Sequence, residues 1–198
     1  MAKNDIVIRS DILELAANEL KPYFESRRDK IYATEQSMLQ DLFQQLNLLL
    51  SNVHENQVTY KSKAINSLVF STLQSSFVSG TYDYKISVFD DDIWVMKNPP
   101  TVYWRPGIFD FYIEDIEHFT KLAKRKLARV KDWELEEFSY KYIELYDNII
   151  NSFVHKNVVE ILKLPILSKA DKQPDFKILM GRHMDYLIVL AQSMEEVS

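Results

Sequence analysis

Residues 81–112, TYDYKISVFDDDIWVMKNPPTVYWRPGIFDFY, restrict the fold more than any other stretch of this chain. They hold nine of the 25 aromatics and three of the six prolines, a mixture that suits strands and turns and breaks helices. Tyr82, Tyr84, Ile86 and Val88 alternate with Asp83, Lys85 and Ser87, the period of two that marks a half-buried strand. Asp90-Asp91-Asp92 predicts a turn, Ile93 to Lys97 a second strand, Asn98-Pro99-Pro100 a reversal and Val102 to Trp104 a third strand. Residues 81–105 are thus expected to form a small antiparallel meander, which needs helices to pack on because three strands are near the stable minimum.

On both sides the spacing is helical. Ser10 is placed to cap a first helix, and Pro22 either kinks it or starts a second. Leu39, Leu42, Leu46, Leu49 and Val53 alternate three and four residues apart and predict a helix to about Val53. Ala64, Ile65, Leu68, Val69, Leu73 and Phe77 predict another, stopped by Gly80. Asp110 to about Val130 and Trp133 to about Lys163 read as two more, the second apolar over most of its circumference. Ser168 to Pro174 reads as a loop, and Met180, His183, Leu187, Leu190 and Met194 as the seam of a last helix over about 175–195. The expected class is α+β, predominantly α-helical, with five or six helices including two long ones and the meander inserted mid-chain. No repeat or long linker divides the sequence, so 1–198 is expected to be a single domain.

Hydrophobic residues make up 46% of the chain and charged residues 27%, ordinary values for a globular protein. The net charge of −5 argues against a surface that binds nucleic acid or anionic lipid as a whole. With no cysteine there is no disulfide framework, thiol nucleophile or thiolate metal site. No segment approaches the roughly 20 apolar residues of a membrane span, and the first residues lack the apolar core of a leader. Cytoplasmic location and no membrane association are the expectations.

Four groups of residues could carry function. Asp90, Asp91 and Asp92 offer the hard oxygen ligands that Mg²⁺ needs, but neighbours on a strand point to opposite faces and the spaced calcium-loop pattern is missing. With His118 and Arg105 they define a metal-dependent hydrolase or nuclease as the alternative reading. Among the four histidines, His118 fits a polar helix face, while His183 sits in an apolar seam and reads as a core residue. Lys121, Arg125 and Arg129 lie on one face of a basic run of six cations in eleven residues, a weak phosphate or nucleic-acid stripe. Their position at the end of a helix that begins with acids also matches the helix dipole. Finally, Tyr82, Tyr84, Trp94, Tyr103, Trp104, Phe109 and Phe111 are more aromatics than one face of a three-stranded sheet can bury, so some are expected on each face, with Trp94 or Trp104 at least partly exposed as an anchor and Tyr84 and Tyr103 beside it in a partner-binding surface. The glycine-rich phosphate loop, the dinucleotide fingerprint and the nucleophile elbow are all missing. The expectation is a non-enzymatic interaction protein, a cytoplasmic regulator or adaptor without cofactor or metal, docking a protein partner or a second copy of itself through 81–112.

Overall fold

The computed structural model describes residues 8–90, 98–182 and 186–192. In chain order the helices and strands are α1 (Ser10–Leu15), a π-helical turn (Ala16–Leu20), α2 (Lys21–Ala33), α3 (Glu35–Tyr60), β1 (Ile65–Thr72), α4 (Gln74–Ser79), β2 (Tyr84–Phe89), β3 (Thr101–Trp104), α5 (Phe109–Lys126), α6 (Asp132–Lys156), α7 (Val158–Leu162), α8 (Pro165–Lys169), β4 (Lys172–Arg182) and β5 (Leu187–Gln192). The class is α+β, predominantly helical, as the spacing predicts.

The helix boundaries have local causes. Asp11, rather than Ser10, bonds the first turn, its carboxylate accepting from the Ile12 N–H at 3.0 Å. Pro22 enters at the start of α2 without ending the helical path. The wide π turn lies just ahead of it, where the ring leaves a backbone acceptor without its N–H donor. Thr34 separates α2 from α3, its hydroxyl donating to the Ile31 carbonyl at 2.6 Å. α3 continues beyond the expected end at Val53 and stops at Lys61, whose φ is 52°. Gly80 takes φ 75° and terminates α4, the left-handed stop that only glycine adopts freely.

Among the described residues five strands make one mixed sheet in the order β3-β2-β1-β4-β5. β2 and β3 pair antiparallel with Tyr84 opposite Trp104, β1 pairs antiparallel with β2 and parallel with β4, and β5 returns antiparallel on β4. Two expected helices are therefore strands. Over 64–77 the apolar spacing fits a helix, yet 65–72 is the central strand β1, buried on both faces. A strand covered on both sides loses its alternation and reads as a continuous apolar run. Over 175–195 the expected helix is replaced by the β4–β5 hairpin, and the expected loop over 168–174 holds the end of α8 and the start of β4. The expected strand 93–97 lies outside the described residues.

The chain gathers into two compact units. In residues 8–36 with 107–150, Ile12, Leu15 and Leu20 share a core with Phe119, Leu122 and Phe138. In residues 37–106 with 151–192, the sheet and α3 supply the largest buried groups, among them Phe70, Ile86, Trp104, Leu42 and Leu46. There Gln57 ties the end of α3 to the start of β4. Its amide donates to the carbonyls of Lys63 (3.2 Å) and Asp171 (3.0 Å) and accepts from the Asp171 N–H (2.9 Å).

Candidate functional site

Two places concentrate unusual chemistry. The first is a buried carboxylate in the helical unit. Asp115 projects from the apolar face of α5, between Tyr112 and Phe119, and is 0% exposed. Arg27 Nη1 donates to its Oδ1 at 2.8 Å, and the hydroxyls of Tyr142 and Tyr146 donate to Oδ2 at 2.7 and 2.6 Å. Arg27 also reaches Glu114 at 2.9 Å and lies near the rings of Tyr23 (4.8 Å) and Phe111 (5.0 Å). Burial, then the bonds to the Asp115 anion, hold both tyrosine hydroxyls well above their ordinary range. Burial opposes the Arg27 charge, but Asp115, Tyr23 and Glu114 outweigh it and raise its affinity for the proton. A carboxylate already holding three donors is poorly placed to take a proton from a substrate. The arrangement is a satisfied internal ion pair, the form in which a buried charge is tolerable.

The second place is the β4–β5 hairpin. Gly181 makes it possible, because a Cβ there would sit 2.0 Å from the Tyr186 carbonyl oxygen, which accepts from the Arg182 N–H at 3.2 Å. β5 then runs Leu-Ile-Val-Leu-Ala-Gln, rich in apolar residues suited to strands. Leu187 reaches the small cluster of Val69, Phe89 and Leu179. The outer residues are not covered: Tyr186 is 71% exposed, Ile188 53% and Val189 51%. Ile188 and Val189 are consecutive and point to opposite faces, so this edge is apolar on both sides. Leu190 is the extra residue of a bulge, since Ala191 lies opposite Ile178 and Val189 opposite Leu179.

The opposite edge is built differently. β3 has four residues, with Pro100 just before it and Pro106 two residues after it. Short length and flanking prolines are the usual means of keeping an edge from pairing.

The residues singled out from sequence are spread among other roles. Tyr84 and Trp104 are both buried, their rings 5.9 Å apart, and Trp104 also stacks near Phe153 at 6.1 Å. Trp104 is thus a core residue and not a surface anchor, because its side of the sheet faces the apolar interior. Tyr103 is 57% exposed on the β3 edge, and Trp94 lies outside the described residues. Asp90 gives its carbonyl to the Gln173 amide at 2.8 Å, Asp91 and Asp92 lie outside the described residues, and Arg105 is exposed. His118 stacks on Tyr23 at 4.1 Å in the helical unit. Among the described residues no group of three or more His, Asp or Glu could hold a metal ion.

The basic stripe is divided. Lys121 pairs with Glu117 (3.7 Å), Lys124 with Asp132 (2.6 Å) and Lys126 with Glu19. α5 ends at Lys126, so Arg129, at φ 57°, is off the helix that carries Lys121 and Arg125. Among the described residues no helix is long and apolar enough to cross a membrane.

Two features were missed in the sequence. Asp115 is legible afterwards as an acid at i+3 from Tyr112 inside an apolar stripe, with Tyr142 and Tyr146 one turn apart to receive it. The hairpin is legible as two short apolar runs on either side of Gly181 and a polar segment. No protein-family model matches the chain, no curated protein matches its sequence and no solved structure matches its fold.

Proposed function

We propose that the protein is a non-enzymatic interaction protein, a cytoplasmic regulator or adaptor, that docks a protein partner along β5. The observation that carries this reading is an uncharged, proline-free edge strand whose Ile188 and Val189 are half-exposed on opposite faces. Edge strands of that kind are normally guarded or used, and an added strand is a common way of using them. A helix laid on one face would leave the other apolar row in water, whereas a strand alongside extends both faces at once. The aromatic segment 81–112 contributes Tyr103 at the opposite, guarded edge, which makes β5 the better-supported surface.

The test is affinity capture with three forms of the chain. A partner held by the wild type should be lost with Ile188→Lys, which puts a charge on the edge, and kept with Tyr103→Ala. Retention by Ile188→Lys with loss in Tyr103→Ala would move the docking surface to β3.

A further inference from the structure

We infer that the strand that occupies the β5 edge is β5 of a second copy, paired antiparallel about a two-fold axis near Ile188. This rests on the docking reading above and names its occupant. Three observations select a second copy.

The first is charge. In a two-fold antiparallel ladder a charge at or beside the axis is brought close to its own copy. Residues 187–192 carry none, and nothing in the strand opposes self-pairing. On the neighbouring strand, Lys177, opposite Gln192, is already paired with Asp175 at 3.6 Å.

The second is shape. The regular part of β5, Leu187 to Val189, precedes the bulge at Leu190. An axis at Ile188 sets Leu187 against Val189 of the other copy and Ile188 against itself. Tyr186 then lies across from the bulged Leu190. The half-exposed residues of both faces are covered in one step.

The third is closure. A chain with two open edges would add copies without limit, but β3 is short and flanked by proline. Among the described residues β5 is the unguarded edge, and one such edge per chain gives an isologous pair that stops at two. The sheet then runs continuously through both copies, ending at a guarded β3 on each side.

The experiment measures mass in solution by light scattering across a concentration series, using the whole chain. Wild type is expected as a dimer. Ile188→Lys and Ile188→Glu are each expected as folded monomers, checked by circular dichroism, because like charges meet at the axis. Mixing the two variants is expected to restore the dimer, since Lys then faces Glu. The chain has no cysteine, so Ile188→Cys provides a single thiol. It should cross-link copies under mild oxidation, because directly opposed strand residues lie about 4.5–5.5 Å apart at Cα, within the reach of a disulfide.

A wild type that stays monomeric into the hundred-micromolar range, a dimer indifferent to both charged variants, or open-ended association would overturn the inference. In the first case, a captured foreign protein that depends on Ile188 would leave the docking reading standing without the second copy. Loss of both signals would remove both.

Discussion

The Asp115 cluster and the β5 edge invert what their compositions suggest. Asp115, Arg27, Tyr142 and Tyr146 are the kinds of side chain that build catalytic sites, yet Asp115, Arg27 and Tyr146 are buried, Tyr142 is partly buried, and all four are hydrogen-bonded to one another through Asp115. Leu187 to Leu190 are the kinds of side chain that build cores, yet Ile188 and Val189 stand half in water. Polar groups closed on themselves stabilise a fold, and apolar groups left open are the part that acts outward. The two edges of the sheet repeat the contrast, since β3 carries a buried Trp104 between prolines and β5 carries neither charge nor proline.

The largest expected effects come from breaking what is closed. Asp115→Ala leaves Arg27 with its main buried partner gone and should cost about 3–5 kcal/mol of stability, read as a lowered denaturation midpoint. Trp104→Ala should also cost about 3–5 kcal/mol. An unchanged midpoint in either variant would mean that the cluster or the β3 anchor is not structural, and the contrast would collapse.

Tyr146→Phe is a smaller test, removing one hydrogen bond to a charged acceptor at about 1.5–3 kcal/mol. Its pH dependence has a definite sign. The hydroxyls of Tyr142 and Tyr146 are held above their ordinary value in the folded chain, so the folded state keeps protons that the unfolded state releases above about pH 10. Their contribution is complete below that pH and is lost as pH rises toward the folded values, each by about 1.4 kcal/mol per pH unit. Alkaline unfolding followed by circular dichroism should therefore be less steep in Tyr146→Phe than in the wild type. Equal slopes would contradict the network.

The smallest expected effects on stability are at the edges. Ile188→Lys and Tyr103→Ala should each change it by no more than about 0.5 kcal/mol, provided the two are compared as monomers. Ile188→Lys alone should alter association.

The class of fold and most helices were legible because amphipathic stripes over α3, α5 and α6 are long enough to outweigh coincidence. β2 and β3 were legible from alternation and prolines. β1 was not, because a strand buried on both faces has no period of two, and Ile65, Leu68, Val69 and Leu73 happen to fit a helical stripe. The β4–β5 hairpin was hidden by a similar coincidence across Met180, Leu187 and Leu190. There the parallel pairing of β4 with β1, separated by about a hundred residues of sequence, decides against the helix. Tyr84, Tyr103 and Trp104 were legible as sheet but not as buried or exposed, since Trp104 and Tyr103 are neighbours that take opposite faces.

The central claim is that the outer side of β5 is a strand-pairing surface. Amide hydrogen exchange of residues 187–192, measured in dilute and in concentrated solution, tests it most directly. The account predicts that outward-facing amides of β5 exchange freely when dilute and slow markedly when concentrated, while those of β3 are unchanged. Exchange in β5 that is independent of concentration, both for the chain alone and with a captured partner, would contradict it.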